Sequence, residues 1–249
     1  MKIDATFVRS AVVAADFPRD GLPEIALVGR SNVGKSSLIN ALARRNVART
    51  SAAPGKTRLA NIYRIARGGG GPRYLVDLPG YGYARGDRRE LDAVTHQYFG
   101  VRLLSSAPPS AGAGGIAPPH AALLVIDARH PGLDNDLAAW TWLKDAVATH
   151  ALVATKIDKL SRVERLRAVE EIEAVFHHPV TAVSAETGEG LDDLWKLIDR
   201  LANNSNRQPR RTSRPRPGRT AAAATDRPGS PPRGLSAVGW RLRPPRRKN

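Results

Sequence analysis

The fold is decided by "EIALVGRSNVGKSSLINALAR", residues 24–44. A short apolar run ends at Gly29, and the eight residues from Gly29 to Ser36 follow the pattern G-x-x-x-x-G-K-S. Beyond them, Leu38, Ile39 and Leu42 recur at helical spacing. A strand that turns through glycines into a helix aims several backbone N–H groups at one point, and the helix N-terminus adds partial positive charge. Such a turn binds phosphate. Gly29, Arg30, Ser31, Asn32, Val33 and Gly34 would form the cradle. Lys35 would bridge the β- and γ-phosphates, and the Ser36 hydroxyl would hold Mg²⁺. The plainer alternative is a glycine-rich strand–helix turn with a surface lysine.

Outward from this stretch, strand-like and helix-like segments alternate. "NIYRIAR" (61–67) and "RYLVDL" (73–78) flank "GGGGP" and predict a hairpin with a lengthened turn. "AALLVIDA" (121–128), "ALVATK" (151–156) and "PVTAVSA" (179–185) read as buried strands, with helices over 88–104 and near 134–148, 161–176 and 191–203. The pattern predicts an α/β fold of the P-loop NTPase type. Its sheet would be mostly parallel and six-stranded, with one antiparallel strand and helices on both faces. Residues 1–22 read as an N-terminal extension or first strand region, 23–203 as the nucleotide-binding domain, and 204–249 as a tail. "SSAPPSAGAGGIAPP" (105–119) is a low-complexity insertion.

Three further motifs sit at strand ends. In "DLPG", Asp77 would meet Mg²⁺ and the Gly80 N–H would reach the γ-phosphate, with Leu78 and Pro79 between them. In "TKID", with Thr155, Lys156 and Ile157, the Asp158 carboxylate can accept two hydrogen bonds from the N1–H and N2 amino groups of guanine. Adenine offers no such pair, and a buried acceptor left unpaired costs about 1–3 kcal/mol. In "VSAETGEG", following Val183 and Ser184, the Ala185 N–H could donate to guanine O6. Each motif alone is weak. Their order, each at a strand end after a phosphate loop, points to GTP and GDP as ligands. Between the first two motifs, Thr57 in "PGKTR" is the candidate second hydroxyl for Mg²⁺, with Thr50 as its rival.

"GRSNVGKSSLIN", "PGKTR", "DLPGYGYA", "DARHPGLDND", "TKIDKLSR" and "SAETGEGLDDL" together resemble the EngB family of bacterial ribosome-assembly GTPases, from about Phe7 to Leu201. The resemblance implies nucleotide contacts from residues 29–36, from Gly55, Lys56, Thr57, Arg58 and Leu59, and from residues 77–80, 155–158 and 183–185. It implies Ser36 and Thr57 as metal ligands, beside Asp77. It also implies a role in maturation of the large ribosomal subunit, needed for normal septation and cell division. The 105–119 insertion and the tail lie outside the family core.

In "DLPGYGYA", Tyr81 stands where many GTPases carry a glutamine that orients water. Hydrolysis is therefore expected to be slow and to need an activator, with Lys35, Thr57, Gly80 and Asn32 as the residues acting on it. In related GTPases lacking that glutamine, an asparagine at the Asn32 position helps hold K⁺, so K⁺ joins Mg²⁺ as a candidate cofactor. The alternative is that Asn32 only stabilises the turn. Tyr81 and Tyr83 read either as chemistry or, preferably, as a surface that docks when γ-phosphate orders the turn.

Charge separates the tail from the body. From Ala202 onward lie 13 of the 39 Lys/Arg and one of the 23 Asp/Glu, so that +12 of the net +16 sits there. Rich in Pro and Arg, the tail is expected to be disordered. It would contact rRNA on a pre-ribosomal large subunit through counterion release, or serve only solubility. The chain has no cysteine and no run of the ~20 apolar residues a membrane helix needs, and with Asp4 where a leader needs its apolar run no secretory leader is expected. A cytoplasmic monomer without a membrane partner is expected. The six histidines show no metal-ligand spacing, and Asp127 and Arg129 read as strand-end residues. A second class remains open: an RNA-binding assembly factor whose GTP only tunes docking.

Overall fold

The computed structural model describes residues 2–49, 59–81, 95, 98–100 and 121–204. All belong to one compact unit, Met1–Pro209. In chain order the elements are β1 (Ile3–Ala11), β2 (Glu24–Val28), α1 (Lys35–Ala43), β3 (Ala60–Arg67), β4 (Arg73–Asp77), β5 (Ala121–Asp127), α2 (Asp134–Ala146), β6 (His150–Thr155), α3 (Arg162–Phe176), β7 (Val180–Ala182) and α4 (Leu191–Asn204). The strands form one sheet in the order β1-β3-β4-β2-β5-β6-β7. Among the described residues only β3 runs against its neighbours, pairing antiparallel with both β1 and β4; the other pairings are parallel. The α/β class and the single antiparallel strand match the expectation.

The strand count does not: the sheet has seven strands rather than six. The added strand is β1, which pairs along β3 from Ile3 opposite Arg67 to Ala11 opposite Ala60, with a register break between Phe7 and Arg9. It forms the sheet edge, and only Ala5 and Ala11 of its nine residues are buried. "IDATFVRSA" therefore carries almost none of the period-2 apolar alternation that would mark a strand. At the other edge, β7 covers three residues of the stretch expected at 179–185, because the chain leaves the ladder at Val183 to build a loop.

β5 is buried along its whole length and β2 likewise, so both read as continuous apolar runs. Their residues nevertheless alternate between two cores. Ile25, Leu27, Leu123 and Val125 face α1 (Leu38, Ile39, Leu42) and α4 (Leu194, Trp195, Ile198). Ala26, Val28, Leu124 and Ile126 face α2 (Ala139, Trp140, Leu143) and α3 (Ile172, Phe176), together with Tyr98 and Phe99. Those two rings, with Thr95 and Gly100, are what is described of the helix expected over 88–104, and all four residues are helical. α3 starts at a reciprocal cap: the Ser161 side chain accepts from the Glu164 N–H, and the Glu164 side chain accepts from the Ser161 N–H. Among the described residues no helix is long and apolar enough to cross a membrane.

The C-terminal ends of the parallel strands β2, β4, β5, β6 and β7 open on one edge of the sheet. Connections diverge on either side of β2, toward β4 on one side and β5 on the other. A crevice at that point is where open α/β sheets take ligands.

Candidate functional site

The loop after β2 is shaped by two left-handed residues, Asn32 (φ 60°) and Gly34 (φ 107°). Gly29 must be glycine for a steric reason: a Cβ there would lie 2.4 Å from the Val125 carbonyl oxygen of the neighbouring strand. Lys35 opens α1 and is buried. Its Nζ donates to the carbonyls of Gly29 (2.9 Å) and Arg30 (3.3 Å), so the ammonium lies within the loop. Burial pushes its pKa down, and the Asp77 charge works against that shift.

Asp77 ends β4 and is 1% exposed. The Ser36 hydroxyl donates to its Oδ2 at 2.6 Å, while its Oδ1, also buried, has no hydrogen-bond partner among the described residues. Burial raises the Asp77 pKa, opposed by the charge of Lys35 and the bond from Ser36. A buried carboxylate oxygen left without a donor beside a serine hydroxyl, next to a lysine-lined loop, is a donor set that suits a hard divalent cation. The residues therefore fit Mg²⁺, and Ser36 and Asp77 are the described side chains that could hold it. Thr57 and its rival Thr50 lie outside the described residues, as do Gly55, Lys56 and Arg58; Leu59 is described and partly exposed.

The Asp77 turn rests directly on the phosphate loop. Leu78 is buried and its N–H bonds the Leu27 carbonyl at 3.2 Å. Gly80 is packed so closely that a Cβ would come within 2.6 Å of the Ser31 nitrogen. The Ser31 N–H donates to the Tyr81 carbonyl at 3.1 Å, and the Ser31 hydroxyl lies 3.4 Å from the Gly80 carbonyl. Tyr81 itself is turned inward. Only 6% exposed, its hydroxyl donates to Asp136 in the first turn of α2 at 2.9 Å. The expectation of a docking surface therefore does not hold for Tyr81, because both ring and hydroxyl are engaged by the interior. Tyr83 lies outside the described residues.

The motifs expected to read the base follow the ends of β6 and β7. Thr155 is buried, with Oγ1 2.6 Å from the Val33 carbonyl and 3.0 Å from that of Ile126. Lys156 takes a left-handed backbone (φ 63°) and reaches back over the phosphate loop. Its Nζ donates to the Asn32 carbonyl at 2.6 Å and pairs with Asp127 at 3.0 Å. Ile157 is buried beneath it. Asp158 accepts from the Ser184 hydroxyl at 2.7 Å and pairs with Lys159 at 3.1 Å. Burial opposes its ionised form, but these two partners outweigh it and hold the carboxyl below the ordinary carboxylate range. The Ser184 oxygen also accepts from the N–H groups of Glu186 and Thr187, folding the loop that carries Ala185. Val183 anchors that loop through its N–H to the Ala154 carbonyl at 2.7 Å. Ala185 and Ser37 line one open cavity of about 450 Å³ between this loop and the end of α1.

Three contributors were not legible as site residues. Asp127 accepts from Arg129 at 2.7 Å and pairs with Lys156; despite burial these cations hold it well below the usual carboxylate range. Asp136 joins Tyr81 to Arg30. Asn40 accepts from the N–H groups of Val47 and Ala48 and donates to the Ala48 carbonyl, setting the exit of the chain from α1. All three lie in stretches that carry the family resemblance, "DARHPGLDND" and "GRSNVGKSSLIN", but nothing in those stretches marked them for a role at the site. Asn32 enters the site through its backbone, as a turn residue and as the acceptor for Lys156.

Residues 24–156 match the family described as 50S ribosome-binding GTPase. The chain is 41% identical over 212 residues to the probable GTP-binding protein EngB of Heliobacterium modesticaldum, covering 82% of this chain and 95% of that one. It is 38% identical over 216 residues to the protein of the same name from Pelotomaculum thermopropionicum, covering 83% and 100%. Among solved structures, Era of Aquifex aeolicus bound to GDP and aluminium fluoride superposes with a TM-score of 0.57 at 23% identity. That match covers 72% of this chain and 56% of Era, a likeness of fold.

Proposed function

Because the chain belongs to the EngB family of GTP-binding proteins, we propose that it binds GTP and GDP in the strand-end crevice and acts as a GTPase switch in assembly of the large ribosomal subunit. The observation that carries this reading is the fastening of the base-reading loops to the phosphate loop. Lys156 is bonded to the Asn32 carbonyl, and Asp158 is oriented by Ser184 beside it. The Asp158 carboxylate would take the two guanine donors, the Lys156 stem would cover one face of the base, and the Ala185 N–H would meet O6. The backbone of residues 29–36 and the start of α1 would cradle the phosphates, with Lys35 moving from its loop carbonyls onto phosphate oxygen.

Mg²⁺, held by Ser36 and Asp77 with Thr57 proposed beside them, would neutralise charge developing on the phosphate oxygens. Gly80 would report γ-phosphate through its N–H. Tyr81, the described residue after Gly80, does not orient water as a carboxamide would, since its hydroxyl is directed at Asp136. Intrinsic hydrolysis is therefore slow and needs an activator, and no step is assigned to K⁺. The basic tail adds electrostatic contact with rRNA. The protein is proposed to be a cytoplasmic monomer, and its effect on septation and cell division to follow from ribosome supply.

Nucleotide affinities of the wild type and of Asp158→Ala test the reading. GTP and GDP should bind far more tightly than ATP, and the substitution should weaken guanine nucleotides at least tenfold while leaving ATP unchanged. Tighter binding of ATP than GTP by the wild type would reject it. The inward Tyr81 also favours a second reading, in which GTP tunes docking with negligible turnover. Hydrolysis that ribosomal particles never accelerate would select that reading.

A further inference from the structure

Three side chains from distant parts of the chain, one of them from the phosphate loop itself, meet in a cluster to which no role has yet been assigned. Arg30 follows β2, Tyr81 follows the Asp77 turn, and Asp136 lies in the first turn of α2. The Arg30 Nε is 3.1 Å from both Asp136 oxygens, and the Tyr81 hydroxyl is 2.9 Å from Oδ1. Asp136 is completely buried and Tyr81 nearly so, whereas the Arg30 side chain is 23% exposed. An ionised carboxylate removed from water persists only where donors replace its hydration. Here the donors come from the two segments that would handle the terminal phosphates.

The same two segments are joined by backbone. Arg30 and Tyr81 form an isolated parallel bridge, and the Ser31 N–H reaches the Tyr81 carbonyl. Gly80 sits between, with no room for a methyl group against Ser31. The distance from the Gly80 N–H to the phosphate loop is thus set on one side by this bridge and on the other by the side-chain cluster.

We infer that Arg30, Tyr81 and Asp136 form a latch that holds the Gly80 turn at γ-phosphate distance from the phosphate loop, making Tyr81 and Asp136 positioning residues for the triphosphate state. This rests on the proposed function. Only the γ-phosphate meets Gly80, so the latch contributes to GTP binding and not to GDP binding. An unlatched turn must be ordered when GTP binds, which subtracts from GTP affinity alone. The latch also ties α2 to the turn, so that a change at Gly80 reaches the helix through Asp136 rather than through solvent.

The test is the ratio of affinities for a non-hydrolysable GTP analogue and for GDP, with Mg²⁺, in wild type, Tyr81→Phe, Asp136→Asn and the double variant. Both single changes are nearly isosteric, and circular dichroism and GDP binding verify the fold. The expected result is a ratio lowered threefold or more by each single variant, with GDP affinity held within twofold. The double variant should be no worse than the more severe single one, because the groups act as a unit. Smaller changes in the ratio, parallel loss of GDP affinity, or single effects that multiply in the double variant would overturn the latch. Wild-type protein that fails to bind guanine nucleotides would instead reject the functional reading beneath it.

Discussion

At the scale of single residues the site is governed by how each carboxylate is compensated. Asp127 and Asp158 have cationic or hydroxyl partners that hold their pKa values down, whereas Asp77 and Asp136 are buried with theirs raised. The sign for Asp77 follows from linkage. An unfolded aspartate titrates near about 3.9, so between that pH and the higher folded value the unfolded chain ionises first, and stability falls as pH rises through the window. Asp77→Asn is accordingly expected to raise the unfolding midpoint by a few degrees at pH 7 in EDTA, while removing the gain in nucleotide affinity that Mg²⁺ confers. Thermal scans in EDTA and a Mg²⁺ titration check both halves; a lower midpoint in EDTA would mean that Lys35 stabilises Asp77 by more than burial costs. This site residue was legible because its motif is local: a strand, a carboxylate and a glycine within four positions. Tyr81 was misjudged from the same stretch. Nothing near it in sequence announces Asp136, 55 positions away, as the partner of its hydroxyl.

At the scale of elements, the loops at strand ends owe their shape to close backbone approach. The turn into α4 is the sharpest instance. Gly190 has φ 76°, and a Cβ there would lie 2.1 Å from the Ala182 carbonyl at the end of β7. Gly190→Ala must therefore displace backbone as well as adopt a left-handed residue, and about 2 kcal/mol or more of stability should be lost. The loop that carries Ser184 and Ala185 would shift with it, so GDP affinity should fall tenfold or more. Urea unfolding and a GDP titration measure the two; intact GDP affinity would mean that the loop is held by Ser184 and its partners alone. Helix positions were readable because amphipathic spacing and the Ser161 cap are local signals. β1 was not counted because an exposed edge strand need not alternate. Its place depends on the free side of β3, which forms only when the hairpin does.

For the whole molecule the separation of charge sets the expectation. A nearly balanced body carries a tail holding most of the net charge. Co-sedimentation with ribosomal subunits in GTP, in GDP and without nucleotide, over a range of salt, should show steep salt dependence that flattens when residues 204–249 are removed. The difference between GTP and GDP should survive the truncation. Its loss with the tail would place the switch-dependent contact in the tail rather than in the body. By itself the sequence determined the α/β class, the phosphate loop, the residues proposed to select guanine and the polarity of charge along the chain, because each rests on patterns spanning a few consecutive residues. Only the tertiary structure decided the seventh strand, the inward turn of Tyr81, the pairing of Asp127 with Lys156 and the Arg30–Asp136 contact across 106 positions. Those depend on which strand ends lie side by side, and a buried carboxylate finds its donors only after the sheet has brought them there.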